Sequence, residues 1–493
     1  MDLLIISHPY HYEMENLCRL FFPLEKINVL RDREQATADD RIYTQSIVRG
    51  GDTKLIAQVE LQGRRARLER EVGNHHPDYK KECERQLAKA LFVLLCDLCG
   101  FTPPWGILTG VRPLGLMRRL IGQLGQQGAA EYFERQLMVY PAKTGLCLQT
   151  AVRQAGIIAG SKPNSFSLYI AVPFCPTRCH YCSFVSHSIT NAKKLAEPYV
   201  TLLCEELAAT AAVAKACGLS LQTVYIGGGT PTALSAGQLT RIMDAVKAHF
   251  DLSGVWEYTV EAGRPDTITR EKLDALKSGG ATRISVNPQT MNNDVLERIG
   301  RRHTAEQTAE AFKLARQAGF DDINMDLICG LEGDTQHSFE RSLREVLELN
   351  PDSITVHTLC LKRSSRMSVE QNPAPLVKRG MPAAAMLQTA IEELPRAGYQ
   401  PYYLYRQSKS LNNLENIGFA KAGREGLYNI YIMDETHTIL ACGAGAVTKL
   451  KQPKGPYIER IFNFKYPYEY IDRFTELQER KTRISGFYEE YPI

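Results

Sequence analysis

No stretch of this 493-residue chain stays apolar for long enough to cross a membrane. The longest run, Ala90 to Leu95 with its flanks, reaches roughly half of the ~20 residues a spanning helix needs. An excess of one charge is also missing. The 59 Lys and Arg residues stand against 55 Asp and Glu, a net charge of +4 that gives no reason to expect DNA or RNA as a partner. It leaves room for local basic patches facing an acidic small molecule. The opening MDLLIISHPYHYEMEN turns polar and acidic too early for a secretory leader. A cytoplasmic protein without a membrane span is therefore expected. A disulfide framework is excluded on similar grounds. The thirteen cysteines are scattered, odd in number and set in a long chain, which reads as reduced thiols plus a metal site. Internal repeats and low-complexity tracts are absent.

What is present divides into three regions. Residues 1–160 read as a small α+β domain. LLIIS and KINVL are short strands around a helix at Tyr12–Phe22, and RIYTQSIV, TKLIAQVEL and RARLEREV alternate in strand fashion. A helix follows from Pro77 to Leu98, then the Pro/Gly-rich loop FTPPWGILTGVRP and further helices. This region carries no recognisable catalytic motif, and we expect it to cover the site and help bind substrate. Residues 161–370 alternate short apolar strands with amphipathic helices six times, with helices expected at 192–217, 235–250, 269–278, 292–316 and 335–348. Six βα units imply a parallel sheet with right-handed crossovers, and six rather than eight predicts an open or partial (β/α)6 barrel. Residues 371–493 read as an α+β extension that binds substrate or closes over it. It has a helix at 383–397, the aromatic stretch PYYLYRQ, then NNLENIGFA and a two-strand pattern, LYNIYIMDE and THTILACGAGAV.

In α/β folds of this kind the chemistry sits at the C-terminal ends of the strands. Strand one ends at Phe174, and CPTRCHYC then places Cys175, Cys179 and Cys182 in one tight loop. Three thiolates suit an iron–sulfur cubane and leave one iron open to a chelating ligand. A zinc site is the alternative, with His180 or His187 as fourth ligand. Strand two leads into Gly227-Gly228-Gly229-Thr230-Pro231-Thr232, where glycines let the backbone approach a ligand. Glu261 follows strand three, and Asn287-Pro288-Gln289 follows strand four. Arg301 and Arg302 come next, and Asp326 lies within the apolar strand five, where an unpaired charge is costly.

A CxxxCxxC loop after strand one of such an array resembles the radical S-adenosylmethionine (SAM) superfamily. YIAVPFC, GGGTPT, GRRHT, NMDLICGL and NPDSITVHTL are similar to its oxygen-independent coproporphyrinogen III oxidase branch. YLYRQ, NLENIGFA, EGLYNIYIMDE and GAGAVTKL look most like the Z-type coproporphyrinogen dehydrogenases of Gram-positive bacteria. The resemblance implies a [4Fe–4S] cluster on Cys175, Cys179 and Cys182, whose open iron is chelated by SAM. Cleavage of SAM by one electron then yields a 5′-deoxyadenosyl radical. Tyr169, Gly228, Glu261 and Val447 match residues contacting that SAM. Tyr181, Gly229, Thr230, Gln289, Arg301, Asp326 and Cys360 match residues near a second SAM site, so one or two SAM molecules are implied. Where the prototype carries a fourth cysteine, this chain has Phe184, as does the related haem-chaperone branch.

The implied reaction converts two propionates of coproporphyrinogen III, or a related tetrapyrrole, to vinyl groups. A one-electron reductant protein is implied as partner. Catalytic roles fall on Tyr169 and on Arg406, the first candidate to grip a propionate through its guanidinium fork, with Arg112 behind it. A haem-binding trafficking protein and a radical SAM methyltransferase acting on haem are the competing functions. Cys96 and Cys99, His75 and His76, and Cys204, Cys217, Cys329 and Cys442 take structural readings.

Overall fold

The computed structural model describes residues 1–23, 25–182, 184, 186–360, 376–407 and 410–493. The chain forms two compact units. One comprises Met1–Ala151, Asn372–Met381 and Tyr405–Glu415, and the other Val152–Gln371, Pro382–Leu404 and Asn416–Ile493.

The first unit is built on a five-stranded sheet. Strands β1 (Asp2–Ile6), β2 (Asn28–Leu30), β3 (Arg41–Arg49), β4 (Asp52–Leu61) and β5 (Arg64–Gly73) lie in the order β2-β1-β3-β4-β5. Strand β1 is parallel to both neighbours, and β3-β4-β5 is an antiparallel meander. Helices α1 (His11–Phe21) and α2 (Tyr79–Cys99) bury Leu17, Phe21, Leu87, Leu91 and Leu95 against one sheet face with Leu3, Ile42, Leu55 and Val59. Alternation along β4 and the 3–4 spacing along α2 make this one core. Helices α3 (Pro113–Glu131) and α4 (Pro141–Ala159) follow.

The second unit carries an eleven-stranded sheet. Its centre is the six parallel strands β6 (Ser165–Val172), β9 (Ser220–Gly228), β10 (Glu257–Glu261), β11 (Arg283–Ser285), β12 (Ile323–Cys329) and β13 (Ser353–Thr358). They stand side by side in that order. The helices between them are α5 (Lys193–Ala216), α6 (Ala236–His249), α7 (Arg270–Ser278), α8 (Asn293–Arg298), α9 (Ala305–Gln317) and α10 (Gln336–Leu349). The two-residue strands β7 (Phe174–Cys175) and β8 (His187–Ser188) pair as a ribbon outside the sheet. This is the (β/α)6 array expected from the sequence, and it stays open because chain from the C-terminal region extends both edges. Helix α11 (Leu376–Arg396) leads to β14 (Gln400–Arg406) and β15 (Glu415–Ala420), which extend the β13 side, with β15 antiparallel to β13. On the other side β16 (Thr438–Cys442) joins β6 in parallel, and β17 (Val447–Lys451) and β18 (Ile458–Phe462) continue antiparallel. Helices α12 (Leu427–Asp434), α13 (Pro467–Asp472) and α14 (Phe474–Glu490) complete the unit.

Two expected elements differ. LYNIYIMDE is helix α12, not a strand. The Glu257 carboxylate of β10 accepts the first free amides of the helix, from Leu427 N at 2.6 Å and Tyr428 N at 3.2 Å. That cap comes from a distant strand and satisfies donors which no local side chain reaches. The single helix expected over 292–316 is broken between α8 and α9. Gly300 takes φ +76° there, and Arg301 turns inward with only 5% of its surface exposed.

Candidate functional site

The strand ends place the cysteine loop, the glycine loop and a set of buried polar groups on one side of the parallel sheet. Register brings Val172 of β6 opposite Gly228 of β9. The glycine loop is stitched to the chain entering the cysteine loop: Gly229 N donates to Val172 O at 2.8 Å and Thr230 N to Phe174 O at 2.7 Å. A Cβ on Gly229 would stand 2.6 Å from the Phe174 carbonyl, so a side chain there would force the two loops apart.

The cysteine loop is clamped from several elements. Ile189 N donates to Cys175 O, Cys182 N to Cys179 O, and His180 N to Ile299 O after α8. Thr177 Oγ1 donates to Gly300 O at 3.1 Å. Sulfur contacts come from Thr230 Oγ1 to Cys175 Sγ at 3.5 Å and from Arg264 Nη1 to Cys179 Sγ at 3.8 Å. Arg264 was not singled out from the sequence. It is 2% exposed, holds Asp266 through two bonds of 2.9 Å and reaches Thr177 Oγ1 at 3.1 Å. It sets a buried positive charge beside the Cys179 sulfur. Its only sequence signal is its position three residues after Glu261.

All three loop cysteines are free and partly exposed. Burial raises the Cys175 thiol, against the hydrogen bonds of Thr230 and Ser186 and the charge of Arg264. Burial likewise pushes Cys182 up to about 11, partly offset by the Phe184 backbone amide and reinforced by Cys179 and Cys175. Among the described residues no three His, Cys, Asp or Glu side chains close on a point that would hold a metal ion. A cubane takes each thiolate on a different iron, so its ligands do not meet at one point. Of the histidines considered as a fourth ligand, His180 lies against Gly300, and His187 meets a stacked pair of tyrosines edge-on.

Beyond the loop, Glu261 at the end of β10 accepts a 2.5 Å hydrogen bond from Tyr225 of β9. Burial raises its carboxyl to about 7. The Tyr225 bond opposes that rise, the charge of Asp326 adds to it, and the Gly228 amide and His357 oppose it. The Tyr225 ring is stacked on Tyr428 of α12 at 4.4 Å and on Tyr169 of β6 at 6.2 Å. Asp326 of β12 accepts from Asn324 Nδ2 at 2.7 Å and lies 3.7 Å from His357 Nε2 of β13. Burial works against a charged His357, yet Asp326, Asn416 and Glu261 together leave it raised.

Arg301 donates to the Gly263 and Asn287 carbonyls, both at 2.7 Å, and to Tyr181 OH at 3.2 Å. Gln289 is buried at φ +71°, a strained conformation for a residue with a side chain. Its backbone bonds Asp326 O and Ile328 N. Gln289 Oε1, Asn287 Oδ1 and Arg301 Nε are buried without a partner among the described residues. Such groups are costly unless a ligand or water meets them. Cys360 lies two residues past β13 and Val447 opens β17, both half-buried.

The structure thus gathers Tyr169, Gly228, Gly229, Thr230, Glu261, Gln289, Asp326, Arg301, Tyr181 and the three cysteines at the strand ends of one unit. Arg406 belongs to the other unit. It is 5% exposed, donates to the carbonyls of Asn413, Leu108 and Gly110, and stacks over Trp105 with its guanidinium carbon 5.5 Å from the ring centre. Arg112 is exposed at the start of α3.

The donor set fits an iron–sulfur cluster with a polar ligand beside it: three thiols on one pinned loop, a glycine backbone with no room for Cβ, and buried polar atoms without partners. Comparison with known proteins agrees. Residues 169–346 match the Radical SAM superfamily. The chain is 37% identical over 413 residues to the oxygen-independent coproporphyrinogen-III oxidase-like protein HemZ of Bacillus subtilis, covering 82% of each chain. It is 34% identical to the heme chaperone HemW of the same organism, over 61% of this chain and 77% of that one. The solved coproporphyrinogen III oxidase HemN of Escherichia coli, a radical SAM enzyme, superposes with a TM-score of 0.53 at 25% identity, over 66% of this chain and 73% of that one. The cofactors are accordingly a [4Fe–4S] cluster and SAM. No helix among the described residues is long and apolar enough to cross a membrane. The chain belongs to the radical SAM superfamily, in the branch of the oxygen-independent coproporphyrinogen-III oxidase-like proteins.

Proposed function

We propose that the protein is an oxidoreductase that converts two propionates of coproporphyrinogen III to vinyl groups, giving protoporphyrinogen IX. The observation that carries this is the extent of the likeness to the oxidase-like relative, 82% of both chains against 61% of this chain for the haem chaperone. Each propionate would lose one hydrogen atom from its β-carbon and then carbon dioxide, with the remaining electron passing to an external one-electron acceptor. The bound cluster and SAM supply the hydrogen-atom abstraction; the protein orients and shields.

In this reading Cys175, Cys179 and Cys182 hold the cluster. The Gly228–Thr230 backbone would hold the methionine part of SAM, and Glu261 would accept from its ammonium. Tyr169, stacked with Tyr225 and Tyr428, walls the site. Gln289, Asn287 and Arg301 offer their unpartnered atoms to the remaining polar groups. Arg406 stays a proposed propionate contact, with its Nε and Nη1 given to backbone carbonyls.

Anaerobic incubation with coproporphyrinogen III, SAM and a strong reductant tests the proposal. Protoporphyrinogen IX with two carbon dioxide per turnover is the expected result. No decarboxylation together with stoichiometric haem binding would favour the chaperone reading, to which the exposed Phe184 lends support.

Glu261 gives a pH signature. Its carboxyl titrates near 7 in the folded chain, above its usual 4.5. An ammonium binds the ionised form, so below pH 7 binding must first expel a proton. SAM affinity should therefore rise with pH between about 6 and 8, by up to ~10-fold per unit at the acid end. Equilibrium dialysis across that range checks this, and Glu261→Gln should flatten the profile and weaken binding.

A further inference from the structure

Strand β5 is an open edge of the sheet in the first unit. It comes last in the strand order, and among the described residues it is paired with β4 alone. It runs ten residues, of which Arg64, Arg65, Arg67, Glu69, Arg70 and Glu71 are exposed. The turn before it sets the phase of its backbone. Gln62 and Gly63, at φ +50° and +75°, close a two-residue hairpin between Leu61 and Arg64. The residues flanking such a turn exchange hydrogen bonds, and bonded pairs then alternate along the ladder. Arg64, Ala66, Leu68, Arg70 and Val72 therefore direct their amides and carbonyls at β4. Those of Arg65, Arg67, Glu69 and Glu71 point off the open edge, and no turn, loop or cap among the described residues takes them up.

The side chains sort in the same way. Ala66, Leu68 and Val72 pack against the core under α1 and α2, on the face shared with Arg64 and Arg70. Arg65, Arg67, Glu69 and Glu71 lie on the opposite face. Along that face the sign changes once, at Leu68, with base before it and acid after it. An edge strand carrying one sign of charge repels its own copies. This one is self-complementary. Turned antiparallel about Leu68, it meets a copy of itself with Arg67 opposite Glu69 and Arg65 opposite Glu71, each pair occurring twice. These are also the residues whose amides and carbonyls are open, so hydrogen bonding and charge select the same register. A slip of two residues either way sets Arg67 opposite Arg67 or Glu69 opposite Glu69, which is unfavourable. On the core face Leu68 meets Leu68, Ala66 meets Arg70 and Arg64 meets Val72, so no like charges stand directly opposite. In a single copy the same groups form partly exposed bridges, Arg67 to Glu69 at 2.6 Å, Arg65 to Glu60 at 3.1 Å and Lys54 to Glu69 at 2.7 Å. Bridges of that kind contribute little, so exchanging them across the edge is cheap.

We propose that β5 pairs with β5 of a second copy of this chain, antiparallel about a two-fold axis at Leu68, and joins two sheets into one. The contact uses the same strand on both copies and closes as a dimer, because the far edge of the sheet is the three-residue strand β2. It depends neither on the tetrapyrrole chemistry nor on the cluster.

Sedimentation equilibrium of the full chain over a concentration series tests this. Wild type should move with concentration from the mass of one chain toward twice that mass. Two variants, both confined to exposed side chains, reverse opposite halves of the outward row. Arg65→Glu with Arg67→Glu makes the row acidic throughout, and Glu69→Arg with Glu71→Arg makes it basic throughout. Each variant alone should raise the dimer dissociation constant ~100-fold or more, since every facing pair becomes a like pair. Mixed one to one, the two should form a heterodimer, because every facing pair is again of opposite sign, and added salt should weaken it. Wild type that keeps the mass of one chain at every concentration would overturn the proposal. So would a homodimer that survives in both variants, which places the contact elsewhere, or two monomeric variants that do not combine when mixed.

Discussion

Replacing Cys179 by alanine should abolish the [4Fe–4S] signal in electron paramagnetic resonance of the reduced protein and cut 5′-deoxyadenosine formation by at least ~10³-fold, the expected loss when a cluster ligand is removed outright rather than weakened. The loop offers no substitute near this position. His180 is turned against Gly300 and His187 is packed edge-on against the stacked Tyr466 and Tyr468. Arg264 should show a graded effect. Its guanidinium reaches Cys179 Sγ and Thr177 Oγ1 while a bidentate pair with Asp266 holds it in place. Arg264→Met removes a buried charge and takes the guanidinium partner from Asp266, so a loss of about 10–100-fold in cluster affinity is expected, typical of a residue that orients a ligand. Arg264→Lys keeps the charge but not the planar fork, and should fall between. An unaltered cluster signal in Cys179→Ala would refute the assignment of the loop.

The second large effect is on stability. Glu206 of α5 is fully buried in the second unit and is paired with Lys481 of α14 at 2.8 Å. Its oxygens also accept from Gly443 N and Tyr470 OH at 2.7 Å and from Asn463 Nδ2 at 2.8 Å. Burial works against a charged Lys481, and Glu206 more than offsets it. In Glu206→Ala the ammonium keeps the Ala441 carbonyl, while Gly443 N and Tyr470 OH lose the acceptor they had in Glu206. Breaking one side of a buried pair costs about 3–5 kcal/mol, so the urea midpoint of this unit should fall sharply. The double replacement Glu206→Leu with Lys481→Met should recover part of the loss, because no lone charge stays buried. The consequence reaches the site. Glu206 holds the turn after β16, where Gly443 has φ +97° and a Cβ would come within 2.5 Å of the Ala171 carbonyl on β6. SAM binding should weaken in the single variant even where the protein remains folded.

Most of the architecture was legible locally. Alternation of apolar strands with amphipathic helices spells out the six parallel units, since each period is written within ten or twenty residues. The cysteine spacing and the GGGT turn marked the two loops that the structure stitches together. Contacts remote in sequence were not legible. Helix α12 read as a strand because its run is apolar and β-branched; it is a helix because Glu257, on β10, caps its amides. The break between α8 and α9 follows from the inward turn of Arg301 onto the carbonyls of Gly263 and Asn287.

The sequence by itself determined the kind of chemistry: three thiols in one loop, glycines where backbone must approach, and polar residues at successive strand ends. Spacing along a few residues decides such features, because strand and turn geometry project neighbouring side chains in fixed directions. Only the tertiary structure decided which charge lies beside the cysteine loop. Arg406 and Arg264 are both arginines in loop-flanked stretches, indistinguishable by composition. One is engaged with backbone carbonyls under Trp105, and the other reaches a cysteine sulfur. The partner of a buried charge is whatever the folded chain brings within a few ångströms. That is set by packing between elements far apart in sequence, which no local pattern encodes.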